Sequence, residues 1–262
     1  MRTYAELARL AFRQQFAYRA ATIAGVFTNS VFGIILASVM TGFYASAEGP
    51  SVAGWSEREA VTLIWINQAL IMPVYIWGWW EVSHTIRTGA IATDLLRPTS
   101  WYGLWLSRDL GRAVAAMLLR MVPTLTIGWL LFDIDLPASP ATALAFPLVV
   151  LLATWVSFSL RLLANLASFW LIDYRGISVI FITLATFLSG MVMPIDFFPE
   201  PLRTIATLLP FQAVMMAPNH IYLGKEPIPI VIAQQVFWIA ALALVCHAVL
   251  LRGERKLVVH GG

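Results

Sequence analysis

Polar and apolar positions alternate on a long scale in this chain. Six apolar runs, each about twenty residues or longer, are separated by short charged stretches. A hydrocarbon layer about 30 Å thick needs roughly 20 apolar helical residues to cross it. Inside that layer the backbone must satisfy its own hydrogen bonds, which favours helices. The pattern predicts spans over about 20–44, 60–80, 109–132, 141–171, 177–193 and 230–251. The second closes on Trp77, Trp79 and Trp80, residues suited to a membrane–water interface.

Three segments depart from that rhythm. Over about 3–18, Tyr4, Leu7, Ala8, Ala11 and Tyr18 recur at helical spacing among Arg2, Arg9, Arg13 and Arg19, which predicts an amphipathic helix lying in the interface. The competing reading is a basic tail with incidental periodicity. Over about 81–108 a polar connector carries a short apolar stripe, Ile86, Ile91, Leu95 and Leu96, interrupted at Gly89 and stopped before Pro98. Over about 194–229 seven prolines, from Pro194 to Pro229, break a segment that is otherwise apolar. Proline removes a helix hydrogen bond and clashes with the preceding turn, so this region is expected to hold short re-entrant helices buried against protein.

Composition supports a chain immersed in lipid. Of its 262 residues 60% are hydrophobic and 12% charged, against about 25% charged in soluble domains. The spans and loops use nearly the whole length, so one domain over 1–262 is expected, with no separate soluble catalytic unit. Net charge is +3, but the basic residues flank apolar runs, which speaks against nucleic acid as a partner. With the N-terminus in the cytoplasm, twelve basic residues fall on the inner side of the layout and three (Arg58, Arg203 and Lys225) on the outer side. That bias predicts both termini inside. Ala45-Ser46-Ala47 has the form of a signal-peptidase site, but the run before it is longer than a signal peptide's apolar region.

Candidate chemistry is sparse. Arg120 and Arg161 sit inside expected spans, where a charge costs about 2.5–3.5 kcal/mol on insertion scales, and Asn165 lies one turn beyond Arg161. Two readings stand: a polar path or subunit seam, or charges satisfied within the bundle or snorkelling to headgroups. The four histidines, His84, His220, His247 and His260, are dispersed and form no helical zinc motif. Cys246, the single cysteine, reads as a small buried apolar residue. Gly224-Lys225 is followed by Glu226 and does not make a phosphate loop, so no nucleotide is expected to bind this chain. No carboxylate pair or nucleophile elbow is present within the spans, so the chain is not expected to be an enzyme by itself.

Two stretches carry a resemblance. Gly89-Ala-Ile-Ala-Thr-Asp94-Leu95-Leu96-Arg97-Pro98 resembles the connector of ABC-2 type transporter permeases. Ser189-Gly190-Met-Val-Met-Pro194-Ile-Asp-Phe-Phe198-Pro199, continuing to Leu209-Pro210-Phe211 and then Ala217-Pro218 through Gly224-Lys225, is similar to the outer segment of the same group. The resemblance implies an all-α membrane protein of six transmembrane helices. It would have an N-terminal interfacial helix, a cytoplasmic coupling helix after the second span and re-entrant outer helices before the last. It further implies a multi-pass subunit of an ATP-driven exporter in the plasma membrane of a bacterium. Its partners would be two ATPase subunits, which hold the ATP and Mg, and a second permease, identical or related. Arg87, Gly89, Asp94, Leu95, Leu96, Arg97 and Pro98 would form the coupling contact, with Asp94 and Arg97 its polar members. Ser189, Gly190, Pro194, Phe198, Pro199, Pro210, Phe211 and Gly224 would shape an outer gate. Ala90 stands where the group often has Glu. The apolar, aromatic-rich spans favour a hydrophobic or amphiphilic cargo. The competing functions are a gradient-driven transporter or channel, and a lipid-modifying membrane enzyme. Carboxylates and lysines well inside the spans, which ion coupling would use, are missing.

Overall fold

The computed structural model describes residues 2–171 and 174–256. His260, one of the four dispersed histidines, lies outside the described residues. Twelve α-helices dominate the described chain. Four helical segments are long and apolar enough to cross a membrane: Arg19–Ala45, Trp101–Phe132, Pro140–Phe169 and Ile228–Glu254. At about 1.5 Å per residue each exceeds the roughly 30 Å of a hydrocarbon core.

The first helix, α1 (Arg2–Gln15), is shorter than the expected 3–18 and buries none of its residues within the chain. It lies along the start of α6 (Trp101–Ala116), with the Ala8 carbonyl packed against Gly111, where a Cβ would collide with it. The Tyr4 hydroxyl accepts a hydrogen bond from Ser100 N at 3.0 Å. Next, α2 (Arg19–Ala45) runs to a hairpin that the sequence pattern did not announce. Strands β1 (Ser51–Val52) and β2 (Trp55–Ser56) pair antiparallel across Ala53-Gly54, both with positive φ, the two-residue turn that matches strand twist.

The expected second span, 60–80, is not one straight helix. α3 (Glu57–Leu70) opens with a Ser56–Glu59 capping box. It loosens into a π-helical turn, Ile71–Tyr75, around Pro73, which has no N–H for the ladder. Trp77, Trp79 and Trp80 therefore lie beyond its end. Every residue of α3 from Ala60 to Leu70 is buried, so other helices enclose it.

The connector holds α4 (Glu81–Arg87) and α5 (Ile91–Leu95). The third long helix begins at Trp101, not 109, because the Ser100 side chain accepts from Gly103 N and caps it. It continues through a π turn, Met117–Met121, into α7 (Val122–Phe132). α8 (Pro140–Leu166) extends into a 3-10 turn, Ala167–Phe169.

α9 (Arg175–Leu188) is the second departure from the six-span layout. It stops short of 193 because Gly190 takes φ +78°, a left-handed conformation that ends the helix. Its 14 residues reach about 21 Å, less than a bilayer core. The proline-rich region resolves into a turn at Ile195–Phe197, α10 (Glu200–Leu208) and α11 (Gln212–Leu223). α12 (Ile228–Glu254) closes the described chain, longer at both ends than the expected 230–251.

α8 is the axis of the bundle, packed by α11, α12, α6 and the π turn after α3. One apolar cluster fills the middle around Val149, Val150, Ala153 and Met215. A second gathers at the hairpin end around Trp55, Ile134 and Ile195. A third lies at the opposite end around Val82, Ile91, Trp105 and Phe158.

Candidate functional site

The α4–α5 connector is anchored on one side and open on the other. Val82, Ile86 and Ile91 turn inward against Trp101, Trp105, Phe158 and Leu162. Asn165, fully buried on α8, ties the connector down. Its Oδ1 accepts from Ser83 N at 2.9 Å and from Ser83 Oγ at 3.0 Å, and its Nδ2 donates to the Trp79 carbonyl at 2.7 Å. Gly89, φ +74°, reverses the chain between the two helices. Asp94 and Arg97 pair with each other at 3.1 Å. Leu96 is 85% exposed, Leu95 half-buried, and Pro98 exposed beside Arg97. Arg87 lies over the Tyr174 ring at 5.9 Å.

Next to the anchor lies a buried ion cluster. Asp109 on α6 receives Arg161 of α8 at 2.6 Å and Arg112, one turn along α6, at 2.9 Å. Arg112 also donates to the carbonyls of Met72 and Pro73 in the π turn. Those carbonyls sit where Pro73 has disturbed the ladder. Tyr75, with φ +51°, offers its ring to both guanidinium groups, 4.7 Å from Arg112 and 5.5 Å from Arg161. Arg161 Nε donates to Ser157 Oγ at 3.3 Å. α6, α8 and the π turn after α3 are thereby joined at one level by charge-assisted bonds, which are stronger than neutral ones.

Arg120 belongs elsewhere. It sits in the π turn between α6 and α7 and donates to the Ala21 carbonyl of α2 at 3.0 Å. It packs on Gly25, where a Cβ would overlap its guanidinium. It has no carboxylate partner among the described residues and shares no hydrogen bond with Arg161 or Asn165.

The hairpin end is built differently. Asn67 in α3 donates to the carbonyls of Gly190 at 3.0 Å and Met191 at 3.1 Å, and accepts from Asn219 of α11 at 2.8 Å. The end of α9 at Ser189 and Gly190 is thus held by a side-chain amide. Ser189, Pro194 and Pro210 are buried, while Phe198 and Phe211 pack half-buried against the cluster at this end. Pro199 precedes α10, and Gly224, φ +68°, ends α11. Trp55 links the pieces: its indole N–H donates to Asp196 at 2.9 Å, its carbonyl accepts from the Tyr44 hydroxyl at 2.7 Å, and Lys225 lies 4.2 Å over its ring. Lys225 also pairs with Glu59 at 2.9 Å. His220, in the last turn of α11, sits 2.9 Å from Glu226 in the loop before α12, and its hydrogen bond holds that carboxyl below the ordinary range, against the opposing effect of burial.

Residues 31–261 match the family described as ABC-2 family transporter protein. The chain belongs to the ABC-2 transporter family. The match takes in the connector, the ion cluster and the hairpin end, and begins within α2. No curated protein matches the chain. As a member of that family it is a multi-pass membrane component of a transporter and not itself the catalytic part.

Of the residues singled out from the sequence, this ABC-2 protein brings the connector set together at one end and the outer set together at the other. It divides the three intramembrane polar residues. Arg161 and Asn165 lie on adjacent turns of α8, one in the ion cluster and one in the connector anchor, while Arg120 faces α2. Asp109, Arg112 and Tyr75 escaped sequence reasoning, which put 109 at a span boundary. The available signal was the demand of Arg161 for a counter-charge, together with the i, i+3 spacing of Asp109 and Arg112 one helix away.

Proposed function

We propose that this ABC-2 chain is the permease of an ATP-driven exporter and that the α4–α5 connector receives force from a separate ATPase. The observation that carries this reading is the two-sidedness of the connector. Its inner face is fixed to α8 through Ser83 and Asn165, while Leu96 and the Asp94–Arg97 pair project outward. A lever needs such a rigid inner joint, and a docking helix needs such an exposed apolar tip. The ion cluster would spread movement of the connector to α3, α6 and α8 together.

In this reading α3 and α9 complete six crossings with the irregular chain that follows each, both termini face the cytoplasm, and the membrane is the plasma membrane of a bacterium. The ATPase pair holds ATP and Mg. A second permease, a copy or a sister chain, packs on the exposed apolar faces of α2 and α9, where Phe27, Phe32, Val179 and Phe187 are uncovered. A hydrophobic or amphiphilic cargo passes along that seam, and the broken segment 189–211 forms the outer gate.

The test is Leu96→Lys in the chain expressed with its genomic neighbours. Wild type is expected to co-purify with a Walker-A protein and to show vanadate-sensitive ATP hydrolysis. The variant is expected to insert normally and to lose at least tenfold of that ATPase association, about 1.4 kcal/mol. Cargo movement in liposomes by the chain alone, without any ATPase, would overturn the assignment.

A further inference from the structure

Between α1 and the start of α6 lies a cavity of about 480 Å³, level with the ion cluster. Its walls differ in character. Leu7 and Leu10 of α1 make one side apolar. Trp79, Trp105 and Tyr75 supply aromatic faces, as is common where a membrane meets water. Gln14 and Gln15 add donors and acceptors at the end of α1.

The charges around this cavity are unevenly matched. Asp109 and Arg112 reach it but are committed to one another, to Arg161 and to the π-turn carbonyls. Arg108 and Glu81 also line it, and neither has an ion-pair partner among the described residues. Arg108 stacks on Trp105 at 5.2 Å, which steadies the guanidinium and leaves its N–H groups free. The cavity thus presents one free cation and one free anion beside an apolar wall. A simple anion would be repelled by Glu81, and a simple cation by Arg108. A ligand carrying both charges satisfies both, and its apolar part finds Leu7 and Leu10.

We propose that this cavity holds the headgroup of a phospholipid bearing a phosphate and a primary ammonium, with Arg108 on the phosphate and Glu81 on the ammonium. The primary ammonium follows from the acceptors present. Its three N–H groups can be shared between the Glu81 carboxylate and the side-chain carbonyls of Gln14 and Gln15, whereas a choline group has no N–H to donate. The volume suits a small ligand and exceeds what a headgroup alone needs, leaving space for the glycerol and first acyl carbons. Lipid here would wedge α1 against α6 at the level where connector and ion cluster meet. The proposal holds whatever energy source drives transport.

The purified full chain, exchanged into an equal mixture of phosphatidylethanolamine, phosphatidylcholine and phosphatidylglycerol, is examined by native mass spectrometry for retained lipid. Wild type is expected to retain the ethanolamine lipid about tenfold over the choline lipid, the discrimination expected of charge-assisted hydrogen bonds. Arg108→Gln is expected to abolish retention of that lipid. Glu81→Gln is expected to bind both zwitterionic lipids equally. Both residues are exposed, so thermal midpoints of the lipid-free variants should match wild type and separate lost binding from lost folding. Unchanged retention in both variants, or a preference for phosphatidylglycerol, overturns the proposal. So does competition by free phosphoethanolamine at the same concentration as the lipid, which would make the ligand a soluble phosphate compound.

Discussion

α2 and α8 are both 27 residues long and similarly apolar, yet in the most apolar 18-residue stretch of each span 22% is buried in the first and 56% in the second. Their polar residues explain the contrast. On α2, Thr22, Thr28 and Ser30 bond back to the carbonyls of Tyr18, Ala24 and Val26 one turn earlier and ask nothing of a neighbour, while Asn29 alone of these four reaches another helix, donating to the Gln68 carbonyl at 3.0 Å. On α8, Thr154 and Ser157 reach the carbonyls of Pro73 and Val74, Arg161 reaches Asp109, and Asn165 reaches Trp79 and Ser83. Apolar content places a helix in the membrane. Polar groups that cannot be satisfied within their own helix decide which helix stands in the middle.

The comparison breaks most sharply at the ion cluster. Asp109→Leu leaves two arginines buried without a counter-charge and is expected to cost about 3–5 kcal/mol, read as loss of folded protein in detergent. Arg161→Met, which leaves Asp109 still paired with Arg112, should cost distinctly less in the same assay. Equal losses would mean that Asp109 is not the shared counter-charge of the cluster. Next in size is Asn165→Leu. It strips the buried Ser83 N–H of its acceptor and should cost about 1–3 kcal/mol, with faster proteolysis at the α4–α5 turn.

The matching changes on α2 sharpen the contrast by doing little. Thr28→Val and Ser30→Ala are expected to stay within about 0.5 kcal/mol of wild type, because each removes only a bond to the preceding turn. The smallest effect concerns the loop before α12. Glu226 has its carboxyl held below the ordinary 4.5 by His220, so folding favours the ionised form. That contribution is present above the unfolded value and disappears as pH falls through the lower folded value. The melting temperature should therefore decline slightly more steeply on acidification below about pH 4.5 than in His220→Gln, whose profile should be flatter.

Much of the architecture was legible before any coordinates. The four long helices, the Gly89 interruption and the proline-broken segment each followed from local rules about apolar length, left-handed glycine and the missing proline N–H. Three features were not. The start of α6 at Trp101 was hidden because the charges from Arg108 to Arg112 put the expected span boundary at 109, whereas in the fold Asp109 and Arg112 neutralise one another and Arg161. The π turn at Ile71–Tyr75 was hidden because its strained backbone is repaid by Arg112, 40 residues away from Met72. The role of Asn67 was hidden because the carbonyls it holds at Gly190 and Met191 are more than a hundred residues distant.

Sequence by itself determined that this chain lives in a membrane, where its four long helices lie, and that Gly89 and the prolines of 194–229 interrupt the rest. Those outcomes depend on solvent transfer and backbone geometry, which act over a turn or two. Only the tertiary structure decided that α8 is central and α2 peripheral, that Arg161 is neutralised while Arg120 is not, and that Arg108 and Glu81 share a cavity. Each of these depends on which distant partner satisfies a buried charge or amide, and that pairing is settled only when the helices meet.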